Sequence, residues 1–481
     1  MEERKGFGSN FGFLMAAIGS AVGLGNIWGF PNKMGANGGF TFLIIYLILA
    51  ACCGFIVMMG ELALGRKTGR GAIGAYKVLS KRFKWLGWLG VLSAFLILGF
   101  YCALGGYCLK YVTLNVGNLF HAGFGTGTLD GAGVFDALMA NQGECVIYGL
   151  LFVAITMIIV MGGVGGGIEK VCSVGMPALF ILLIISIIRA CTLDGAVEGL
   201  KYMFVPGWAL DNGIIKEAPS FFSVLSTAGG QMFFSLSLGM AAMITYGSYL
   251  DKKENLQKNA IIIVVMDTLV ALMAGLCVIP GRFALDPTGT LGGPSLLFVT
   301  MQNVFDRMGA AGPIFGILFY LLVVFAAISS SISLLEAVVA HFVDKARDQG
   351  KGDKRKAYSV LAGIAAGILC VVVCLDSLGT AGISPADILG MRGTMEKLPT
   401  WSADWLDFFD CIAEGILMPL GALLMSIMYG WELGPEVVHA EATCEGQKFG
   451  AYGWFRICIK YITPLAMLLV LYGQIKEFFF V

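Results

Sequence analysis

Residues 17–31 read AIGSAVGLGNIWGFP, and their chemistry lies in how poorly they would hold a helix. Gly19, Gly23, Gly25 and Asn26 all weaken one, and Pro31 follows a turn later. Yet apolar residues continue on both sides, from Phe11 to Met15 and from Phe40 onward. A helix broken at this point exposes amide N–H groups on one half and carbonyl oxygens on the other. The N–H end attracts a carboxylate, while the carbonyls coordinate a desolvated cation. A second stretch of this kind, SLSLGMAAMITYGSY (235–249), carries Ser235, Ser237, Gly239, Thr245 and Gly247. A third, FAAISSSISLLEA (325–337), holds Ser329, Ser330, Ser331 and Ser333. A serine in an apolar helix can bond back to its own backbone. Three consecutive serines cannot all face one way, however, so at least one points to the interior. Hard oxygen ligands at that depth suit sodium.

Elements buried in hydrocarbon must position these groups. The chain has 481 residues, 57% hydrophobic and 13% charged, and the shortage of charge points to lipid as the solvent. Eleven stretches are long enough to cross about 30 Å of hydrocarbon. They lie near 11–34, 39–64, 86–116, 144–162, 168–190, 219–247, 258–283, 312–343, 357–375, 405–431 and 453–475. The expectation is an all-α polytopic membrane protein. Met1 to Ser9 is short, charged and followed by a full span, which does not read as a cleavable signal peptide. The thirteen cysteines form no CxxC pair and lie mostly in apolar spans, as packing residues would. Seven Lys/Arg in 65–84 and six in 344–356 fall on the side of the N-terminus. The positive-inside rule therefore places the N-terminus in the cytoplasm and, after eleven spans, the C-terminus outside.

Glycine and serine also serve close helix packing, which by itself explains a single interrupted span. Two interruptions, in spans one and six, predict instead two inverted five-helix repeats with a site at the bilayer midplane. The expected division is 1–190 for the first repeat, 191–432 for the second and 433–481 for an extra C-terminal helix.

The segments GSAVGLGNIWGFP, GGQMFFSLSLGMAAMITYGSY, AISSSISLLE and WLDFFD resemble those of the neurotransmitter:sodium symporter family, in its bacterial eleven-helix amino-acid branch. GIEKVCSVGMPALF and NGGFTFLIIY match as well. The resemblance implies a LeuT-type fold and a transporter, not an enzyme. It implies one sodium site at Ala21, Asn26, Ser235 and Asp267, and a second at Gly19, Val22, Ala326, Ser329 and Ser330. It places an amino acid against Ala21, Gly23, Gly25, Ile97, Tyr101, Phe234, Ser235, Ser237, Met240, Ser330 and Leu334. Tyr101 would hydrogen-bond the substrate carboxylate, and Phe234 would cover it. Arg4 and Asp344 match an inner gate pair with Tyr249 nearby. Gly167 and Pro177 match a motif at which the fifth span unwinds. Glu61 and Glu336 match carboxylates that brace the broken helices.

The sequence departs from the family at the outer gate. Asp407 is present, but the usual arginine position is Gly29. Lys33 shares a helix face with it, so either Lys33 reaches Asp407 or closure depends on Phe234 alone. Gly23 implies a substrate that brings its own carboxylate, and Ile97, Phe234, Met240 and Leu334 imply an apolar side chain. Asp267 stands where chloride-dependent members carry asparagine, with Tyr46, Gln231 and Ser235 matching the rest of that anion site, so chloride is not expected to be required. The expected function is sodium-driven import of hydrophobic L-amino acids by alternating access, with no organic cofactor and no nucleic-acid partner. The alternatives are a glycine-like or γ-amino acid substrate, or a non-transporting sensor or channel. Oligomeric state is not legible.

Overall fold

The computed structural model describes residues 6–285, 296–352, 354–395 and 397–480. Among these, nine helices are long and apolar enough to cross a membrane, and one bent pair makes a tenth span. The bent pair is α1 (Asn10–Ala21) and α2 (Gly25–Ala36), set at 46° to each other. Then follow α3 (Phe40–Thr68), α4 (Leu86–Leu119), α5 (Gln142–Met161) and α6 (Val164–Cys191). The expected sixth span consists of α7 (Phe221–Ser235) and α8 (Ala242–Gly247), parted by the non-helical residues 236–241. The remaining spans are α9 (Leu256–Ala284), α10 (Gly309–Asp348), α11 (Arg355–Asp376), α12 (Trp405–Glu432) and α13 (Tyr452–Phe479). The eleven expected spans thus appear as nine continuous helices and two broken ones.

Local chemistry fixes the ends. Ser9 caps α1 by accepting the Gly12 N–H at 2.9 Å, and Ser220 caps α7 through the Ser223 N–H at 3.2 Å. The helix ends only where hydrogen bonds can be replaced. At Val22 the backbone turns extended (φ −77°, ψ 103°), and the chain re-enters a helix as a π-helical turn at Gly25–Gly29. In the sixth span the break runs through three left-handed residues, Ser237, Gly239 and Ala241 (φ 54°, 76° and 64°). Left-handed backbone at serine and alanine costs about 1–3 kcal/mol each, so packing around the break must enforce it. The Glu61 carboxylate does so by accepting the Gly239 N–H at 2.7 Å.

Small residues set the distances between helices. A Cβ at Gly65 on α3 would strike the Ile244 carbonyl of α8, so only glycine permits that approach. The stretch GGVGGG, which reads as a turn between spans, is a turn only at Gly162 and Gly163. From Val164 it already forms the π-helical first turn of α6.

Candidate functional site

The two breaks face each other across a cavity of about 20 Å³, little more than the space one water needs. Ser20, Ala21, Gly23, Gly25, Ile97, Tyr101, Phe234, Ser237, Met240, Ser330 and Leu334 line it. Every residue expected around the amino acid is present except Ser235, and Ser20 is added. The wall has two characters. Ile97, Met240 and Leu334 form an apolar end, whereas the broken backbone with Tyr101 and Ser330 forms a polar one. The Tyr101 hydroxyl accepts the Leu24 N–H at 2.8 Å, which pins the phenol to the unwound turn. The Phe234 ring covers the cavity so closely that a Cβ at Gly25 would stand 2.7 Å from it.

Ser235 is turned away because α7 ends there and its hydroxyl meets α9. Its Oγ lies 3.0 Å from both carboxylate oxygens of Asp267. The Asn26 amide donates to Ser235 Oγ at 2.9 Å, to Asp267 Oδ1 at 2.7 Å and to the Asp267 carbonyl at 3.1 Å. Tyr46 donates to Asp267 Oδ2 at 3.4 Å, and Gln231 Nε2 donates to the Gly25 carbonyl at 2.7 Å. Asn26, Tyr46, Gln231, Ser235 and Asp267 are all buried. A carboxylate at that depth demands a compensating cation or a full set of donors. The oxygens of Ser235 and Asp267 suit a hard monovalent cation, while the Asn26 side-chain carbonyl oxygen accepts the Gly23 N–H at 2.9 Å.

A second oxygen cluster joins α1 to α10. Ser329 Oγ lies 2.9 Å from the Ala326 carbonyl and 3.4 Å from that of Val22. Ser330 Oγ lies 3.2, 3.1 and 3.4 Å from the carbonyls of Gly19, Ser20 and Val22. The expected members Gly19, Val22, Ala326, Ser329 and Ser330 are therefore together. Ser331 faces the other way and pairs with Thr156 of α5 at 2.8 Å, as three adjacent serines must divide.

The gate residues fare differently. Arg4 lies outside the described residues. Asp344 accepts the Gly71 N–H at 2.8 Å, and Arg347 stands 3.6 Å from it. Tyr249 donates to Glu336, which also pairs with Arg355. Phe7 seals this side by edge-on contacts with Phe13, Tyr246 and Tyr249, at 5.5, 5.7 and 6.1 Å between centroids. On the opposite side Lys33 does not meet Asp407. It pairs with Glu414, two turns along α12. The Asp407 N–H caps onto Asp404 Oδ1 at 2.7 Å. Burial holds the Asp404 carboxyl up at about 6, although two backbone N–H groups favour its charged form. A Cβ at Gly29 would stand 2.9 Å from Gln231 Oε1, the movable end of that side chain.

Sequence reasoning missed Ser20, Arg355 and Glu414. Glu414 had a signal, since it continues the acidic spacing of Asp404, Asp407 and Asp410 along the chain.

The chain matches the profile of the sodium:neurotransmitter symporter family over residues 4–119 and 137–479. It is 34% identical over 475 residues to a sodium-dependent transporter of Bacillus subtilis, covering 96% of each chain. It is 30% identical over 492 residues to a sodium-dependent transporter of Haemophilus influenzae, covering 98% of each. Among solved structures it superposes on MhsT in complex with L-phenylalanine with a TM-score of 0.84 and 34% identity, covering 98% of this chain and 100% of that one. The two broken spans, the cavity between them and these matches lead to one assignment: the chain belongs to the sodium:neurotransmitter symporter family.

Proposed function

We propose that this protein imports hydrophobic L-amino acids in symport with sodium, by alternating access. One observation carries the reading: a cavity with one polar and one apolar end lies between two oxygen clusters, all built on the same pair of helix breaks. The polar end, with the Tyr101 hydroxyl and Ser330 beside the unwound turn, takes the α-carboxylate. Gly23 leaves no room for a side chain there, because a Cβ would strike both Tyr101 and Ser330. The charge must come with the substrate. Ile97, Phe234, Met240 and Leu334 take an apolar side chain, in keeping with the L-phenylalanine bound by MhsT. The cavity is contracted, so the substrate enters as Phe234 swings clear and is enclosed as the ring returns.

One sodium binds among Ala21, Asn26, Ser235 and Asp267, with the substrate carboxylate as a further ligand. The other binds among Gly19, Val22, Ala326, Ser329 and Ser330. Because Ser330 belongs to the cavity wall and the second cluster alike, ion and substrate reinforce each other's binding, which is the physical content of coupling. Asp267 supplies the negative charge that makes chloride unnecessary. Residues 1–190 and 191–432 act as inverted repeats, 433–481 adds the last helix, and the N-terminus is cytoplasmic.

The experiment is uptake of labelled L-phenylalanine into proteoliposomes with sodium outside and potassium inside. Accumulation is expected in sodium medium and not in choline. Equal uptake in both media would refute sodium coupling. Competition by unlabelled glycine and γ-aminobutyrate stronger than by leucine or methionine would refute the apolar specificity.

A further inference from the structure

A set of charges that the cavity and ion clusters do not use stands on α12. Asp404, Asp407, Asp410 and Glu414 succeed one another at intervals of 3, 3 and 4 residues. Asp404 caps α12 and Glu414 lies in its π-helical turn Cys411–Leu417, so the four follow one another along the chain without forming an α-helical row. Lys33 meets this ladder at its deepest rung. Its side chain is 24% exposed, against 4% for its partner Glu414. Lys33 also lies in the fields of Asp410 and Glu477. Within 4 Å, neither Asp407 nor Asp410 forms an ion pair among the described residues. Glu414 is wedged between elements: a Cβ at Gly230 would stand 2.8 Å from its Oε1 and 2.8 Å from Gln474 Nε2. The Lys33–Glu414 pair thus joins α2 to α12, with Glu414 packed against α7 beside Gln474 of α13.

Separating a buried pair outright leaves two uncompensated charges, which is strongly unfavourable. A second carboxylate nearby lowers that barrier, because the ammonium stays paired as it moves and the exchange only changes which carboxylate is left without it. Lysine suits such an exchange, since its ammonium is a point charge on a flexible stem, whereas the arginine fork favours one fixed partner. Position 29 cannot supply the cation, because it is a glycine.

We propose that Lys33 shuts the outer pathway by pairing with Glu414 and opens it by handing its ammonium outward to Asp410. Glu414 and Asp410 are then positioning residues for Lys33. The proposal rests on the transport reading, and its test keeps the two apart.

Full-length protein in proteoliposomes is treated with a membrane-impermeant amine-acetylating reagent, and each lysine is quantified by mass spectrometry. This readout needs no substrate. Glu414→Gln is expected to raise acetylation of Lys33 at least fivefold and to leave Lys110, paired with Glu144 at 2.9 Å, unchanged. Glu414→Asp, which keeps the charge with a shorter reach, is expected to fall between the two and guards against misfolding of the neutral variant. Release of prebound L-phenylalanine to the outer side should quicken about tenfold in Glu414→Gln and slow in Asp410→Asn. Unchanged Lys33 acetylation in Glu414→Gln overturns the pair, whatever the substrate. Faster release in Asp410→Asn overturns the handover. A wild type that binds no amino acid but shows the acetylation order refutes the transport reading and leaves the ion pair standing.

Discussion

Replacing Asp267 by asparagine removes one negative charge and almost no volume. Ser235 Oγ lies 3.0 Å from both carboxylate oxygens. At the far limit, with sodium on that hydroxyl and not directly on the carboxylate, the ion stands about 5 Å from the carboxylate centre, given ordinary oxygen–cation distances. Direct coordination only strengthens the attraction. At ~5 Å and an effective dielectric of about 20, the lost attraction is about 3 kcal/mol. That corresponds to roughly a hundredfold weaker sodium binding. The remaining groups are donors: the Tyr46 and Ser235 hydroxyls and the Asn26 amide all point at the position of the lost charge. A small anion can take its place. The assay is the sodium dependence of L-phenylalanine uptake in proteoliposomes, in chloride and in gluconate. Wild type is expected to give the same curve in both. Asp267→Asn is expected to need roughly a hundredfold more sodium in gluconate and to recover much of that loss in chloride. A wild type that loses most of its uptake in gluconate would show that the carboxylate is not the built-in counter-charge.

Three further outcomes follow from the geometry. Ser329→Ala should raise the sodium concentration for half-maximal uptake while leaving the order of competing amino acids unchanged, because Ser329 touches carbonyls of the second cluster and does not line the cavity. Gly23→Ala should abolish L-phenylalanine binding in an equilibrium assay with the protein still folded, since the new methyl strikes Tyr101 and Ser330. Gly65→Ala should lower the melting temperature in detergent by several degrees, as a methyl driven into the Ile244 carbonyl meets backbone and costs about 1–3 kcal/mol or more.

The breaks were legible because close packing explains one glycine- and serine-rich span, whereas two, in spans one and six, call for backbone that leaves the helix. Their side of the argument is chemical, and the structure places them at 22–24 and 236–241, inside the stretches singled out. Tyr101, Ile97 and Leu334 were reachable only through family resemblance, since a tyrosine or leucine in an apolar helix carries no positional signal of its own. Ser235 was assigned to substrate and ion together. Its direction depends on where α7 stops, and one residue of helix decides whether the hydroxyl sees the cavity or Asp267. Lys33 was weighed as a partner of Asp407, against closure by Phe234 alone, because residues 29 and 33 share a face of a regular helix. That arithmetic concerns the first span and says nothing of α12, where Glu414, in the π-helical turn Cys411–Leu417, takes the ammonium instead. Arg355 opens α11 and reads as one of many basic loop residues, yet it folds inward onto Glu336.

The break in the sixth span also divides it very unequally, and the division has a mechanical meaning. The outer piece has 15 residues and the inner piece 6. At 1.5 Å per residue they are arms of about 22 Å and about 9 Å pivoting on the same joint. A rotation of about 10° therefore carries the far end of the long arm by roughly 4 Å but that of the short arm by less than about 2 Å, on the same rise per residue. A small turn of α7 is enough to part the outer entrance, while α8 has too little leverage to part the inner one. On the side of the N-terminus the leverage belongs to α1, whose 12 residues make an arm twice as long as α8 and whose approach carries the Phe7 seal. Each face is worked by a different lever, and each lever turns on the break of its own span.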